Sequence, residues 1–208
     1  KLNPSTGLTV SEISAPGWDV LEGITSDGTD LFMGMRQNVE IMKRNTSGGH
    51  KWDSQNHGNS PFEGYRAMAY RADTDHLYGA RNSKIAVYDN QGLYNSEYWT
   101  TSLDSILAMT FIEDVLYIAD DSGDVHKASI PTGVSVTNDP KGLAYDAANE
   151  TLFILVEANP NDKILKVNPD TGALLGSFDA PSGICDDLTF LDGYLYVLTT
   201  SGKLLRVR

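Results

Sequence analysis

Five segments of this chain follow one pattern, and that pattern leaves few architectures open. They begin at Gly23 (GITSDGTDLFMGM), Ala67 (AMAYRADTDHLYGAR), Ala108 (AMTFIEDVLYIAD), Gly142 (GLAYDAANETLFILV) and Asp187 (DLTFLDGYLYVLT). Each opens apolar, small, aromatic after its first residue, with Ser26 in place of the aromatic in the first segment. A polar turn follows, then leucine, an aromatic and aliphatic residues. Short apolar runs, rich in β-branched and aromatic residues and bounded by turn formers, fit the strand template, so no helix is expected. Asp27-Gly28 and Asp192-Gly193 each lie between two such runs, a strong hairpin signal.

The leucines that open the second strand of each unit are Leu31, Leu77, Leu116, Leu152 and Leu195, spaced 46, 39, 36 and 43 residues apart. A period near forty residues is the signature of a propeller or a solenoid. Counting from Leu195 off the C-terminus and on from residue 1 to Leu31 gives 44, inside the range of the internal spacings. A ring of five units predicts that agreement; an open array has no reason to show it. Third strands are expected at VEIMKR, KIAVYD, DVHKAS, KILKVN and KLLRVR, and fourth strands at HKWDSQ, LYNSEYWT, VSVTN and ALLGSFDA. The fifth unit ends at Arg208 with no fourth strand after it. KLNPSTGLTVSEISAP at the N-terminus aligns almost position for position with KVNPDTGALLGSFDAP at 166–181, so residues 8–14 read as the missing strand.

The expected fold is therefore all-β. It is one domain over residues 1–208, a five-bladed β-propeller of four-stranded antiparallel blades whose last blade is closed by the N-terminal strand. Closure removes two sheet edges that would otherwise template aggregation. The chain does not begin with Met, and Lys1-Leu2 duplicates the slot of Arg206-Val207. The competing expectation is thus a segment cut from a longer propeller.

Net charge is −12, with an isoelectric point near 4.6. Acidity of this size argues against a nucleic-acid partner, which needs clustered Lys and Arg. It is equally unfavourable on an anionic membrane, and no apolar run is long enough to span a bilayer. The single cysteine, Cys185, allows no intrachain disulfide. The expected location is secreted, periplasmic or cell-surface, with the cytoplasm as the alternative. The sequon Asn45-Thr46-Ser47 falls in an expected turn and matters only in a eukaryotic secretory protein.

KILKVNPDTGALLGSFDAP resembles the third-to-fourth strand hairpin of YVTN and PQQ-like propeller repeats. GLAYDAANETLFILV resembles the opening of those repeats, and of NHL and SMP-30/gluconolactonase propellers. The resemblance covers the whole chain and implies β-propeller architecture. The Trp-Asp signature of WD40 blades and the double glycine of kelch blades are absent. Five-bladed propellers of this general look include glutamine cyclotransferases and some lectins. In a propeller, ligands sit at the mouth of the central channel, near the start of each first strand.

That position reads Glu22, Arg66, Leu107, Lys141 and Asp186, four of five charged. Asp187 follows, in a column that is otherwise Gly or Ala. A carboxylate in a crowded axial position needs a partner, a cation or water. Leu21-Glu22-Gly23 looks like the Glu-Gly pair that supplies a metal ligand in SMP-30-type enzymes. That resemblance implies a divalent-metal site at Glu22, Asp186 and Asp187, suited to Ca or Mg, and a hydrolase or lactonase activity. Lys141-Gly142 stands where that family carries an Asn-Gly ligand, so a cation replaces one ligand, and Arg66 adds a second positive charge. The other reading is a ring of compensating charges, Glu22, Asp186 and Asp187 against Arg66 and Lys141.

Other groups are weighed the same way. Asp120-Asp121-Ser122-Gly123-Asp124 places oxygens at alternate positions, as a calcium loop does, yet lacks the downstream acid of an EF-hand and falls where a hairpin must turn. His50, His57, His76 and His126 show no metal-ligand spacing, and His76 and His126 are expected at solvated strand edges. Cys185, beside two carboxylates, is expected to have a raised thiol pKa, the opposite of an activated nucleophile. Trp52 and Trp99 are placed on outer strands. Residues 44–66 hold His50, His57 and Trp52 and include the longest connection, where binding groups tend to sit.

No phosphate loop, nucleophile elbow or Ser-His-Asp order is visible. The expected role is a non-catalytic module for a protein, peptide or glycan ligand, with its site at Glu22, Arg66, Lys141, Asp186 and Asp187. The competing roles are the metal-dependent hydrolase and a fragment of a larger multi-blade surface protein.

Overall fold

A computed structural model of the chain describes residues 11–14, 21–35, 41–53, 64–127, 130–135, 138–181 and 184–207. Among these, every regular element is a β-strand, and the strands form five four-stranded antiparallel sheets. The chain opens with β1 (Ser11–Ser14). The first sheet is β2 (Leu21–Ser26), β3 (Asp30–Met35), β4 (Ile41–Asn45) and β5 (His50–Asp53). The second is β6 (Ala67–Arg71), β7 (His76–Arg81), β8 (Lys84–Asp89) and β9 (Tyr94–Thr100). The third is β10 (Ile106–Ile112), β11 (Val115–Asp120), β12 (Asp124–Lys127) and β13 (Ile130–Ser135). The fourth is β14 (Pro140–Asp146), β15 (Thr151–Val156), β16 (Lys163–Val167) and β17 (Leu174–Asp179). The fifth joins β18 (Cys185–Leu191), β19 (Tyr194–Thr199) and β20 (Lys203–Val207) to β1 from the other end of the chain. There, Ser11 opposes Arg206 and Ser14 opposes Lys203.

The repeat columns become a shared register. Ser26↔Leu31, Tyr70↔Leu77, Phe111↔Leu116, Tyr145↔Leu152 and Phe190↔Leu195 are the equivalent pairs in the five sheets. The turns beside them use the residues that positive φ favours. Gly28 sits at φ 88°, while Asp192 and Gly193 sit at 52° and 75°.

Five clusters of buried side chains hold the sheets together, each shared by two sheets. Phe32 and Ile41 meet Met68 and Leu77; Ala69 and Val87 meet Met109 and Ile118. Val125 meets Leu143 and Ile154, and Leu155 meets Leu188 and Val197. Leu191 and Leu198 of the fifth sheet meet Ile24 and Met33 of the first. The first strands touch in the same succession, β2 to β6, β10, β14, β18 and from β18 to β2. Burying one such leucine or isoleucine side chain contributes about 1.5–3 kcal/mol.

The aromatic columns form the seams between sheets. Phe32 stacks on Tyr70 with centroids 5.9 Å apart, and Phe153 stacks on Phe190 at the same distance. Tyr78 meets Phe111 edge-on at 4.9 Å. Tyr65, fully buried, lies against Gly34 and Gly79, where a Cβ would come within 2.9 Å and 2.5 Å of its atoms. Glycine is required at both positions by that close approach.

One strand departs from the sequence expectation. The described part of the fourth strand of the third unit, Ile130–Ser135, begins four residues before the expected Val134. Pro131 and Gly133 read as turn residues in the sequence. As the outermost strand of its sheet, β13 leaves one edge unpaired and tolerates a proline that a central strand would not. Among the described residues no helix is long and apolar enough to cross a membrane, which says nothing of β-barrels.

Candidate functional site

Four of the five first strands carry an extra residue at the same place. Leu21 opposes Met35 and Gly23 opposes Gly34, which leaves Glu22 between them without a register partner. Leu107, Lys141 and Asp186 are the corresponding extra residues of β10, β14 and β18. A bulge of this kind re-aims a side chain out of the strand's alternation. It also explains a spacing that a regular strand forbids. Leu21 and Ile24, Ile106 and Met109, and Cys185 and Leu188 are each three residues apart yet share a core cluster. In the second sheet, Arg66 lies just before β6 and donates its N–H to the Ala80 carbonyl at 2.8 Å.

These residues converge. A cavity of about 420 Å³ is lined by Glu22, Arg66, Leu107, Lys141 and Asp186, joined by Arg81 and Asn82. Every sheet thus contributes its axial residue to one space. Arg81 and Asn82 were not expected from the sequence. Their signal is the hairpin register: Ala80 takes the Arg66 N–H, so the next residues of the second strand arrive at the same rim.

Asp187 is placed differently from the expectation. It is not among the residues that line the cavity, and it is 2% exposed. Its Oδ2 accepts the Ile24 N–H at 2.7 Å, across the seam to β2, and its Oδ1 accepts the Leu188 N–H at 2.8 Å. On the other side stands Gly142, where a Cβ would lie 2.7 Å from Asp187 Oδ1. Burial pushes the carboxyl well above its usual range, against the opposing pull of the two N–H donors. The column is small elsewhere because the strands crowd here; Asp187 fits because its neighbour is glycine. Of the three carboxylates expected around a cation, Glu22 and Asp186 therefore reach the cavity and Asp187 is engaged by backbone. Among the described residues, no three His, Cys, Asp or Glu side chains are grouped to hold a metal ion.

Lys141 belongs to two spaces. Its Nζ lies 3.3 Å from Asp162 Oδ2 and 3.7 Å from Glu157 Oε2. Its charge is thus met by the loop between β15 and β16, which the compensating-ring reading did not foresee. That loop, with Asn138, Asp139 and Ile184, lines a neighbouring cavity of about 710 Å³. Asp162 is 5% exposed and organises the rim. Its carboxylate accepts the Cys185 N–H at 2.9 Å and the Ala158 N–H at 3.3 Å. No repeat column marks Asp162, so the sequence carries no signal for it.

Asp120, His126, Cys185 and Asn45 are engaged within the fold. Asp120 Oδ1 accepts the N–H groups of Ser122 and Asp124 at 3.1 Å and 3.2 Å and the Ser122 hydroxyl at 2.5 Å, while Oδ2 lies 2.7 Å from His126 Nε2. Burial raises the Asp120 pKa, but the bonds from Ser122, His126 and Asp124 outweigh it and hold the carboxyl below its usual range. His126 is buried at 8% exposure, not solvated as expected, because this turn folds the ring onto Asp120. Cys185 is fully buried, and burial followed by the Asp162 charge pushes its thiol up to about 12. Asn45 Oδ1 accepts the N–H groups of Ser47 and Gly49, so the sequon asparagine caps its own turn. Trp52 opposes Lys43 and Trp99 opposes Ile85 on outer strands. His57, with residues 54–63 of the long connection, lies outside the described residues.

No protein-family model and no curated protein matches this sequence. Solved structures do match its fold. A glutaminyl cyclase of Myxococcus xanthus superposes with a TM-score of 0.74 at 12% identity, covering 97% of this chain and 95% of its own. A chain of a nidogen/laminin complex gives 0.63 at 13% identity over 88% of this chain and 73% of its own. A chain of a mitotic checkpoint complex gives 0.53 at 13% identity over 89% and 62%. At such identities the likeness is one of fold, and the fold is β-propeller-like.

Proposed function

We propose that residues 1–208 form a single five-bladed propeller whose last blade is completed by β1. We further propose that it serves as a non-catalytic binding module outside the cytoplasm, with its ligand site in the axial cavity. The cycle of shared core clusters, ending where the fifth sheet meets the first, supports the ring. The observation that carries the site is the convergence of Glu22, Arg66, Leu107, Lys141 and Asp186, one from each sheet, on one space. Bulges at one repeated position re-aim side chains, and here Glu22, Leu107, Lys141 and Asp186 are all aimed at one space. Protein, peptide and glycan ligands are the classes to test, and propeller-like chains within protein complexes favour the first two.

Calorimetry against peptide, glycan, amino-acid and divalent-ion panels tests the reading. Saturable binding that Arg66→Gln weakens at least about tenfold, the loss of one charge-assisted contact, is the expected result. Turnover of a lactone by the purified protein, or a panel without any binder, overturns it. Cell fractionation tests the location.

A second reading is catalytic. The likeness to glutaminyl cyclase runs nearly the length of both chains, and Glu22 and Asp186 are two carboxylates placed to move a proton at the cavity. Ammonia release from glutaminyl peptides, abolished in Glu22→Gln, establishes it. The Ca- or Mg-dependent hydrolase retains two of its three carboxylates at the cavity and is tested by metal content after dialysis against each ion.

A further inference from the structure

The charges around the axial cavity are sorted by position. The contact order of the first strands places Asp186 of β18 next to Glu22 of β2, so both carboxylates occupy one arc. Arg66 and Arg81 come from the next sheet, and Lys141 from the sheet on the far side of Leu107. The cavity thus has an acidic arc facing a basic one, with the buried apolar Leu107 set between the cations. A ligand of single charge would meet like charge on one arc, and like-charge juxtaposition is penalised. At about 420 Å³ the space is at the small end of ligand pockets.

We propose, resting on the binding-module reading above, that the axial cavity takes a small zwitterion of amino-acid or dipeptide size. Its ammonium group points to Glu22 and Asp186, and its carboxylate to the guanidinium groups of Arg66 and Arg81. Guanidinium groups suit that end because they grip a carboxylate in a planar fork. Lys141 lines both this cavity and the neighbouring one, with its Nζ 3.3 Å from Asp162 Oδ2. Leu107 gives an apolar wall for a side chain next to the carboxylate.

Glycyl-leucine, N-acetyl-glycyl-leucine and glycyl-leucinamide, titrated at low ionic strength by calorimetry, separate the two poles. Glycyl-leucine is expected to bind, and each blocked form to bind at least about tenfold more weakly, because each loses one charged contact in a partly buried site. The Glu22→Gln, Asp186→Asn double variant should bind glycyl-leucine no better than wild type binds the acetylated form. If either blocked form binds as tightly as glycyl-leucine, the zwitterion assignment fails while the binding-module reading stands. The same holds if none of the three binds but a panel ligand that is not an amino-acid- or dipeptide-sized zwitterion does. A free amino acid or other dipeptide that binds, and loses affinity when either end is blocked, supports the assignment. If nothing in any panel binds, both fail together.

Discussion

Asp187 is the one residue whose place in its column makes no sense alone. The other four positions of that column hold Gly or Ala, and Asp187 is tolerated because Gly142 yields the volume and Ile24 and Leu188 supply donors. A Cβ at Gly142 removes that space. Gly142→Ala is expected to lower stability by about 1–3 kcal/mol in urea unfolding, the range for overpacking. The raised pKa of Asp187 has a definite sign. The folded state holds the proton longer than the unfolded chain, so stability present below the unfolded value is lost as pH rises through the folded one. Asp187→Asn, which cannot ionise, should therefore gain on wild type as pH rises above the usual carboxylate value of about 4. A flat difference between the two proteins as pH rises would show that this carboxyl does not titrate abnormally. The sequence flagged Asp187 as an exception. It did not show what the exception was for, because Ile24 lies at the other end of the chain and the donor is a backbone group common to every residue.

At the level of elements, the strands and their pairing were legible. A leucine and an aromatic at fixed offsets fix which face is buried, and a one-residue slip would turn that face to solvent. The bulges were not legible. Glu22, Leu107, Lys141 and Asp186 share a column, but nothing in their side chains announces an unpaired residue; only the register of the neighbouring strand does. β13 shows the reverse error, since Pro131 and Gly133 have local preferences that an outer edge overrides. The pairing of β1 with β20 carries its own prediction. Removing residues 1–14 leaves β20 as an open edge and takes away the paired residues from Ser11 to Ser14. Cross-strand pairs contribute about 0.2–1 kcal/mol each, so a loss of roughly 1–4 kcal/mol is expected. Light scattering should rise as well, because bare edges template association. Unchanged stability in the truncated protein would show that β1 is ornamental.

For the whole molecule the question is whether the five sheets unfold as one body. If they form a ring, no break between sheets is privileged. A circular permutant joining Arg208 to Lys1 and opened at the Glu113-Asp114 turn should then melt in one transition within roughly 4 °C of wild type, the shift that about 1 kcal/mol produces in a domain of this size. Two separated transitions would mark an open array. The answer matters for function, since the axial cavity exists only if the first strands of all five sheets meet.

The sequence by itself determined the strands other than β13, their five-fold recurrence, the residues that open each first strand and the partner of the N-terminal strand. All of these follow from local alternation and from columns repeated along one chain. Tertiary structure alone decided which charged groups share a space: Arg81 and Asn82 join the axial residues, Lys141 turns to Asp162, and Asp187 withdraws into the wall. The reason is physical. Periodicity encodes which face of a strand is buried, whereas a site is made by side chains from separate units, and their distances are set by bulges and seams that leave no periodic mark.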